Sequence, residues 1–177
     1  MIRNFITYLF LIFSLSVFSQ QKIEKVKFYY PGGQISSEGT MVDGKPDGFW
    51  KTYYPNGVIK SEGKRTNYLL DSTWVFYSES GDTTEKINYL NGKKSGFYYK
   101  YQTTHNKNEV RKTTIGSQEL YINDLREGPS YTYHSNNKLK DVNHYSNGKI
   151  VNESYEYDES GTLITTFLYK NGTLRNI

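Results

Sequence analysis

Short runs in which aromatic and polar residues alternate recur along the chain, and they end at turn-forming residues, most often glycine or asparagine. Alternation with a period of two is typical of β-strands, because successive side chains point to opposite faces of a sheet. In residues 49–54, for example, Phe49 and Lys51 are expected on one face and Trp50 on the other. No window of about 11 residues follows the helical period of 3.6 without containing glycine. The pattern therefore predicts strands throughout the repeated region.

The turns between these runs recur every 24 residues. Gly33, Gly57 and Gly81 lie 24 residues apart, and Asn137 and Gly161 are separated by the same interval. A second series lies between them: Asp43-Gly44, Asn67-Tyr68, Asn91-Gly92, Asn123-Asp124, Asn147-Gly148 and Asn171-Gly172. Asn-Gly and Asp-Gly pairs favour two-residue hairpins, because type I′ turns need positive φ at both central positions. Each repeat is therefore expected to be a β-hairpin.

Aromatic residues recur at fixed positions between the turns, which supports the same repeat. One tyrosine column comprises Tyr29, Tyr53, Tyr77, Tyr101, Tyr133 and Tyr157. We predict an all-β fold, an elongated antiparallel meander of about six 24-residue hairpin repeats within residues 20–177. The copies are expected at about 24–47, 48–71, 72–95, 96–127 with an insertion of eight residues, 128–151 and 152–177. Strands about 4.8 Å apart predict a sheet roughly 55–60 Å long.

The N-terminus has a different pattern and predicts export. One positive charge, Arg3, precedes an almost wholly apolar run at residues 5–18, and small or modest side chains follow at Val17 and Ser19. This layout is typical of a secretory signal, which we place at residues 1–19. The expected location is periplasmic, cell-envelope or secreted, and the segment is either cleaved or retained as an anchor. Because the chain has no Cys, disulfides cannot contribute to its stability.

Composition and charge exclude several functional classes. The formal net charge of +4 is mild and its charges are evenly mixed, which does not indicate nucleic-acid binding. The three histidines, His105, His134 and His144, have no metal-ligand spacing, and nucleotide-binding and nucleophile motifs are missing. We therefore expect no enzyme, no cofactor and no metal.

Several phrases carry a family resemblance. Residues 48–57, with the sequence GFWKTYYPNG, and residues 89–98, with the sequence YLNGKKSGFY, resemble bacterial MORN repeat variants. Related elements recur at 145–149 and 169–172, so the likeness covers about residues 24–177. The resemblance implies a repeat scaffold without catalytic residues. Members of this family are often described as YwqK-type antitoxins, which implies an immunity-like role.

Aromatic residues supply the first candidate binding surface. Trp50, Tyr54, Trp74 and Tyr98 are expected to form a strip for a protein partner, since Trp and Tyr are enriched as interface anchors. Such rings also stack on sugars. The alternative is that the rings pack against each other and cover a sheet that has no second layer.

The insertion supplies a second candidate. It falls at about residues 102–118, and splitting it over two strands would lengthen one hairpin by about four residues, or ~13 Å. A basic tip would carry His105, Lys107, Arg111 and Lys112. The alternative is a surface loop that tolerated extra residues, because added loop length costs little entropy.

Lysines follow the second series of turns at Lys45, Lys93, Lys94 and Lys149, but acidic residues are interleaved with them. We expect an exported, non-catalytic scaffold for protein–protein binding, with an antitoxin- or immunity-like role as its more specific form. The alternative is a cell-envelope module that binds lipid or glycan through aromatics and lysines. The partner and the oligomeric state are left open.

Overall fold

The computed structural model describes residues 21–105, 111–170 and 172–175; the proposed signal segment lies outside them. In these ranges the chain forms a single sheet of 14 strands, and consecutive strands on its main path are antiparallel neighbours. The predicted all-β meander of hairpins is confirmed. Within the same ranges, no helix is long and apolar enough to cross a membrane.

The strands follow the chain in order, and a short β9 pairs with β8 beside the main path. Their bounds are β1 Ile23–Tyr29, β2 Ile35–Val42, β3 Lys45–Tyr53, β4 Ile59–Thr66, β5 Leu69–Tyr77, β6 Thr83–Leu90, β7 Lys93–His105, β8 Arg111–Ile122, β9 Leu125–Arg126, β10 Gly128–Tyr133, β11 Leu139–Ser146, β12 Lys149–Tyr157, β13 Leu163–Lys170 and β14 Thr173–Arg175.

One edge of the sheet carries two-residue turns of the predicted type. Asn91 and Gly92 have φ of 51° and 80°, the left-handed pair that a type I′ turn requires. The Asn67–Tyr68 turn has the same geometry although it lacks glycine, because both residues take positive φ, 50° and 62°. These turns lie along one side of the sheet, where the strands end, and we call this side the second edge. Its turns are at residues 43–44, 67–68, 91–92, 123–124 and 147–148, and Gly172 belongs to one further turn.

The turns at the opposite ends of the strands are wider, and we call this side of the sheet the first edge. In each of the described turns there, a glycine or asparagine takes positive φ before the return strand. At residues 54–58, the Gly57 amide donates to the Tyr54 carbonyl over 2.9 Å, and the Tyr54 amide donates to the Val58 carbonyl over 2.8 Å. Neighbouring turns are linked as well, because the Asn56 amide group donates to the Glu79 carbonyl over 3.0 Å. Each hairpin is thereby fixed to the next one along the chain.

The sheet is a single layer with a thin core. In the part of the chain that the structure describes, the buried apolar side chains are Trp50, Trp74, Ile87 and Tyr98. They lie on one face, because Trp74 pairs with Ile87 and Ile87 pairs with Tyr98 in register across β5, β6 and β7. We call this side the tryptophan face, and the opposite side, which carries Tyr53 and Tyr77, the tyrosine face.

Candidate interaction surface

The two tryptophans are packed into the sheet. Trp50 is 7% exposed and Trp74 is 3% exposed. A Cβ atom at Gly39 would lie 2.0 Å from the Trp50 ring, and one at Gly63 would lie 2.5 Å from the Trp74 ring. Each indole therefore lies over bare backbone on the preceding strand. Both rings are therefore buried over the sheet backbone, and the prediction that they contact a partner stays a prediction.

The other two aromatic candidates also make contacts within the chain. Tyr98 is 6% exposed and packs against Tyr121, with ring centroids 5.9 Å apart. The Lys94 ammonium lies 4.7 Å from the centroid of the Tyr98 ring. Tyr54 is half-buried at the first edge, where its hydroxyl donates to the Tyr77 carbonyl over 2.8 Å. The prediction that Tyr54 contacts a partner stays a prediction.

The insertion lengthens one hairpin as expected. β7 has 13 residues and β8 has 12, whereas β5 has nine and β6 has eight. His105 pairs with Arg111 at the far end of this hairpin, while Lys107 and the His105 side chain lie outside the described residues. Arg111 reaches back to the preceding turn, where it donates to the Ser80 carbonyl over 3.0 Å. Lys112 is exposed.

Arg111 also lies 3.4 Å from the Asp82 carboxylate, so one cation of the proposed basic tip already has an anionic neighbour. Some of the lysines that follow the second series of turns also contact neighbouring side chains. Lys45 lies 4.9 Å from the centroid of the Tyr68 ring, whereas Lys93 and Lys149 are exposed.

The tyrosine face of the first three copies is a lattice of charges and phenols. Glu38 pairs in register with Lys51, and Lys51 pairs with Glu62 across β2, β3 and β4. The Tyr53 hydroxyl donates to Glu38 over 2.5 Å, and the Tyr77 hydroxyl donates to Glu62 over 2.7 Å. Burial, followed by these hydrogen bonds, raises the pKa of each phenol to about 12. Lys27 lies 3.2 Å from Glu38 and Lys51 lies 3.4 Å from Glu62, so charges of the central row are paired within this half of the face.

The cross-strand row that contains Glu38, Lys51 and Glu62 carries no charge from β7 onward. Cross-strand register continues it through six residues on β7, β8, β10, β11, β12 and β13: Tyr99, Gln118, Tyr131, Val142, Tyr155 and Thr166. None of the six carries a formal charge. Phe97, Leu120 and Pro129 lie two residues away on the same strands and the same face. We call these nine residues the tyrosine patch.

The patch is accessible and lies beside further apolar side chains. Phe97 is 44% exposed, and Tyr99, Tyr131 and Tyr155 are half-buried. Leu90, Ile122 and Leu125 extend the apolar surface toward the second edge, with exposures of 56%, 51% and 47%. In the described ranges no lysine or arginine lies over the rings of Tyr99, Tyr131 or Tyr155, in contrast to Tyr98. The Tyr99 ring packs against Phe97, with ring centroids 5.9 Å apart.

At its far end the patch meets polar residues. His144 Nδ1 lies 3.0 Å from the Glu153 carbonyl oxygen, and the Tyr155 hydroxyl donates to the Glu153 carboxylate. With Asn152 and Leu168 these residues line a shallow depression of about 370 Å³. Among the described residues, no group of three or more His, Cys, Asp or Glu could hold a metal ion.

The tyrosine patch was not predicted, because the recurrent tyrosines were interpreted only as a mark of the repeat. The signal was visible in the alternation: 97–99–101, 129–131–133 and 153–155–157 each place side chains on one face. Phe97, Tyr99 and Tyr101 are all aromatic, whereas Phe49, Lys51 and Tyr53 enclose a charge at the equivalent position.

Three segments match the sequence model of the MORN repeat variant family, at residues 25–43, 46–67 and 150–171. The first two segments fall in copies 1 and 2, and the third covers most of copy 6. No curated protein matches the chain. The matches show that the chain carries repeats similar to MORN variants, while the YwqK-type antitoxin assignment stays a prediction.

Proposed function

We propose that the chain is an exported, non-catalytic repeat scaffold that binds a protein through the tyrosine patch. The observation that carries the proposal is the uncharged row that alternates tyrosine with smaller residues across six strands. A comparable row in the first copies is charged and internally paired. The patch therefore differs from the rest of its own face in chemistry, although the backbone is the same.

Tyrosine suits this role for two physical reasons. Its ring supplies a large contact area while only two side-chain torsions are immobilised on binding, and its hydroxyl remains able to bond a partner. Aromatic residues are enriched and charged residues are depleted at the centres of protein interfaces. Lysines and acids near the second edge provide the polar rim that such interfaces carry.

The repeats support a binding role in general, because MORN repeats usually serve as protein- or lipid-binding modules. The apolar segment at residues 5–18 motivates export. More specifically, the bound protein would be a toxin met outside the cytoplasm, which gives the chain an immunity or antitoxin-like role. It rests on the family resemblance and requires a protein partner.

The test is affinity capture from the cell envelope with the tagged chain and two variants, at low and moderate salt. Tyr131→Ala with Tyr155→Ala removes two rings from the patch, and Tyr54→Ala removes one ring from the first edge. A recurring protein should be captured by the wild type and the Tyr54 variant at both salt concentrations. The patch variant should lose it, because an aromatic interface is weakly screened by salt.

Two results would contradict the proposal. Capture that survives the patch variant, in a chain that retains the wild-type circular dichroism spectrum, would place the interface elsewhere. Binding of envelope lipid or glycan that fades at moderate salt, with no recurring protein, would favour a charge-driven adhesion module.

A further inference from the structure

The outer side of β1, the side that faces away from β2, carries backbone groups that no other described strand engages. β1 is the first strand of the sheet path, and within the described residues it pairs with β2 alone. The Asp43 amide donates to the Lys22 carbonyl over 2.9 Å. Because inward and outward groups alternate along an antiparallel strand, the amides and carbonyls of Ile23, Lys25 and Lys27 point outward. These three residues can therefore pair with one further extended segment.

The side chains of β1 on the tyrosine face are cationic, and one of the cations is unpaired. Lys27 pairs in register with Glu38, and its ammonium lies 3.2 Å from that carboxylate. Lys25 lies two residues away on the same face and pairs with Thr40. It is exposed and forms no ion pair with the described residues. A carboxylate outside β1 would therefore find an open partner in Lys25.

A recess of about 320 Å³ adjoins these lysines on the tyrosine face. Lys25 and Lys27 form one wall, Phe49 and Lys51 on β3 form the other, and Glu38 lies between them. The Phe49 ring is 54% exposed, and the Lys51 ammonium lies 5.8 Å from its centroid. Lysine stems and an aromatic ring give the recess apolar walls, with ammonium groups at the rim. This combination suits an acidic side chain with an apolar stem.

The opposite face of β1 is apolar near its centre. Val26 is half-buried, and Phe28 is 49% exposed. The Phe28 ring packs near Trp50, with centroids 6.4 Å apart, so both side chains belong to the tryptophan face. Apolar side chains on a neighbouring strand would extend this cluster by cross-strand contacts.

We propose that the outer side of β1 binds an extended segment of a partner protein in which acidic and apolar residues alternate. The acidic residues face Lys25 and Lys27, and the apolar residues contact Val26 and Phe28 on the other face. Backbone hydrogen bonds supply affinity and the alternating side chains supply specificity, as in other cases of strand addition. This surface is separate from the tyrosine patch, so the inference goes beyond the proposed function and does not depend on it.

The lysines of β1 also select against other occupants. Lysine on an outer strand normally discourages pairing with further strands. The β1 strand of another copy would set lysine against lysine, and like charges directly opposite each other are destabilising. An uncharged strand would crowd Lys25 without pairing its charge. Carboxylates at alternate positions convert the same lysines into attractive contacts, so the charge pattern discriminates between segments.

The test measures binding of the full chain to a seven-residue synthetic peptide in which glutamate and valine alternate, with both termini blocked. Lys25→Glu replaces an attraction by a repulsion and should raise the peptide Kd about 5- to 10-fold. Lys170→Glu makes the same charge change at an exposed lysine of β13, near the other end of the sheet. This control should leave the Kd unchanged within about twofold, because its charge lies far beyond the Debye length.

A second peptide of the same composition, with its glutamates grouped before its valines, separates strand pairing from plain charge attraction. It should bind about 10-fold more weakly, because it cannot place acids on one face and valines on the other. Hydrogen exchange of the unmodified chain, followed by NMR, gives an independent readout. The alternating peptide should slow exchange of the outward amides of Lys25 and Lys27 and leave the amides of β13 unchanged.

Three results would overturn strand addition at β1. They are equal affinity for the two peptides, a Kd that Lys25→Glu does not raise, and unchanged exchange at Lys25 and Lys27 when the alternating peptide is present at its solubility limit. The variant Tyr131→Ala with Tyr155→Ala alters neither β1 nor its recess. Failure of strand addition therefore leaves capture through the tyrosine patch standing, and loss of that capture leaves strand addition standing.

Discussion

Copies 2 and 3, at residues 48–95, and copies 5 and 6, at residues 128–175, have the same hairpin backbone but distribute their side chains differently. In copies 2 and 3 the central row of the tryptophan face holds Trp50 and Trp74, and the tyrosine face holds paired charges. In copies 5 and 6 the tryptophan positions become Ser130 and Ser154. There the central row of the opposite face is uncharged and rich in tyrosine.

The difference teaches that the hydrophobic pattern does not set strand register in this chain. Register normally depends on a buried face and on turn geometry together. Here the aromatic-rich central row moves from one face to the other, while left-handed residues recur at the same repeat positions, as at Gly48, Ser72 and Asn152. The turns and bulges therefore determine the register, and the faces are free to vary.

The largest effect is expected from removing an indole in copy 3. Trp74→Ala should lower the free energy of unfolding by about 3–5 kcal/mol, because a buried ring and its hydrogen bond to the Lys64 carbonyl are lost. Ser130→Ala, at the equivalent position of copy 5, should change it by less than about 1 kcal/mol. Urea unfolding of both variants measures the difference. Equal losses would show that the two regions are packed alike.

The next effect concerns the glycine under that indole. Gly63→Ala places a Cβ 2.5 Å from the rigid Trp74 ring, so the ring must shift, at a cost of about 1–3 kcal/mol. Asn143→Ala, at the equivalent position of copy 5, has no indole above it and serves as the control. Thermal unfolding followed by circular dichroism reports both. A Gly63 variant as stable as the wild type would contradict the close packing described here.

Alkaline pH should weaken the first copies through their phenols. Tyr53 and Tyr77 have pKa values raised to about 12, by burial first and then by hydrogen bonds to Glu38 and Glu62. Their stabilisation is complete below the ordinary tyrosine pKa of ~10 and is lost as pH rises toward 12, because the unfolded chain ionises first. The double variant Tyr53→Phe and Tyr77→Phe should lose less stability over this window in denaturant titrations. A loss equal to that of the wild type would assign the alkaline sensitivity to other groups.

The smallest effect has the opposite sign. Ser154 is 3% exposed, and its hydroxyl has no hydrogen-bond partner in the described part of the chain. Removing a buried, unpaired hydroxyl removes its desolvation penalty, so Ser154→Ala should raise the free energy of unfolding by about 0.5–1 kcal/mol. Ser61→Ala is the control, since its hydroxyl lies 2.7 Å from that of Thr52. A stabilised Ser61 variant would point to a general effect of alanine.

The fold was predictable because its strongest signals are local. Asn91-Gly92 and related pairs dictate type I′ turns, and even Asn67-Tyr68 adopts one because its neighbours impose the hairpin. Which face buries its aromatics was not predictable from alternation alone. Phe49 and Trp50 are both aromatic, and Gly39 on the preceding strand marks the position that the Trp50 ring covers, as Gly63 does for Trp74. The patch was missed for the same reason. Neither face of a single-layer sheet is packed against a second layer, so alternation alone does not tell which face is buried.

The links from each hairpin to the next also determine how the protein responds to mechanical load. In the described part of the chain, strands make their extensive contacts with the strands next to them in the sheet. The side chains of Asn56 and Asn136, in the turns, donate hydrogen bonds to carbonyls 23 residues further along the chain. Tension applied at one end of the sheet would load these bonds one strand at a time instead of shearing them together. The chain should therefore yield by peeling in hairpin-sized steps at low force, and re-form in the same steps when the load is released.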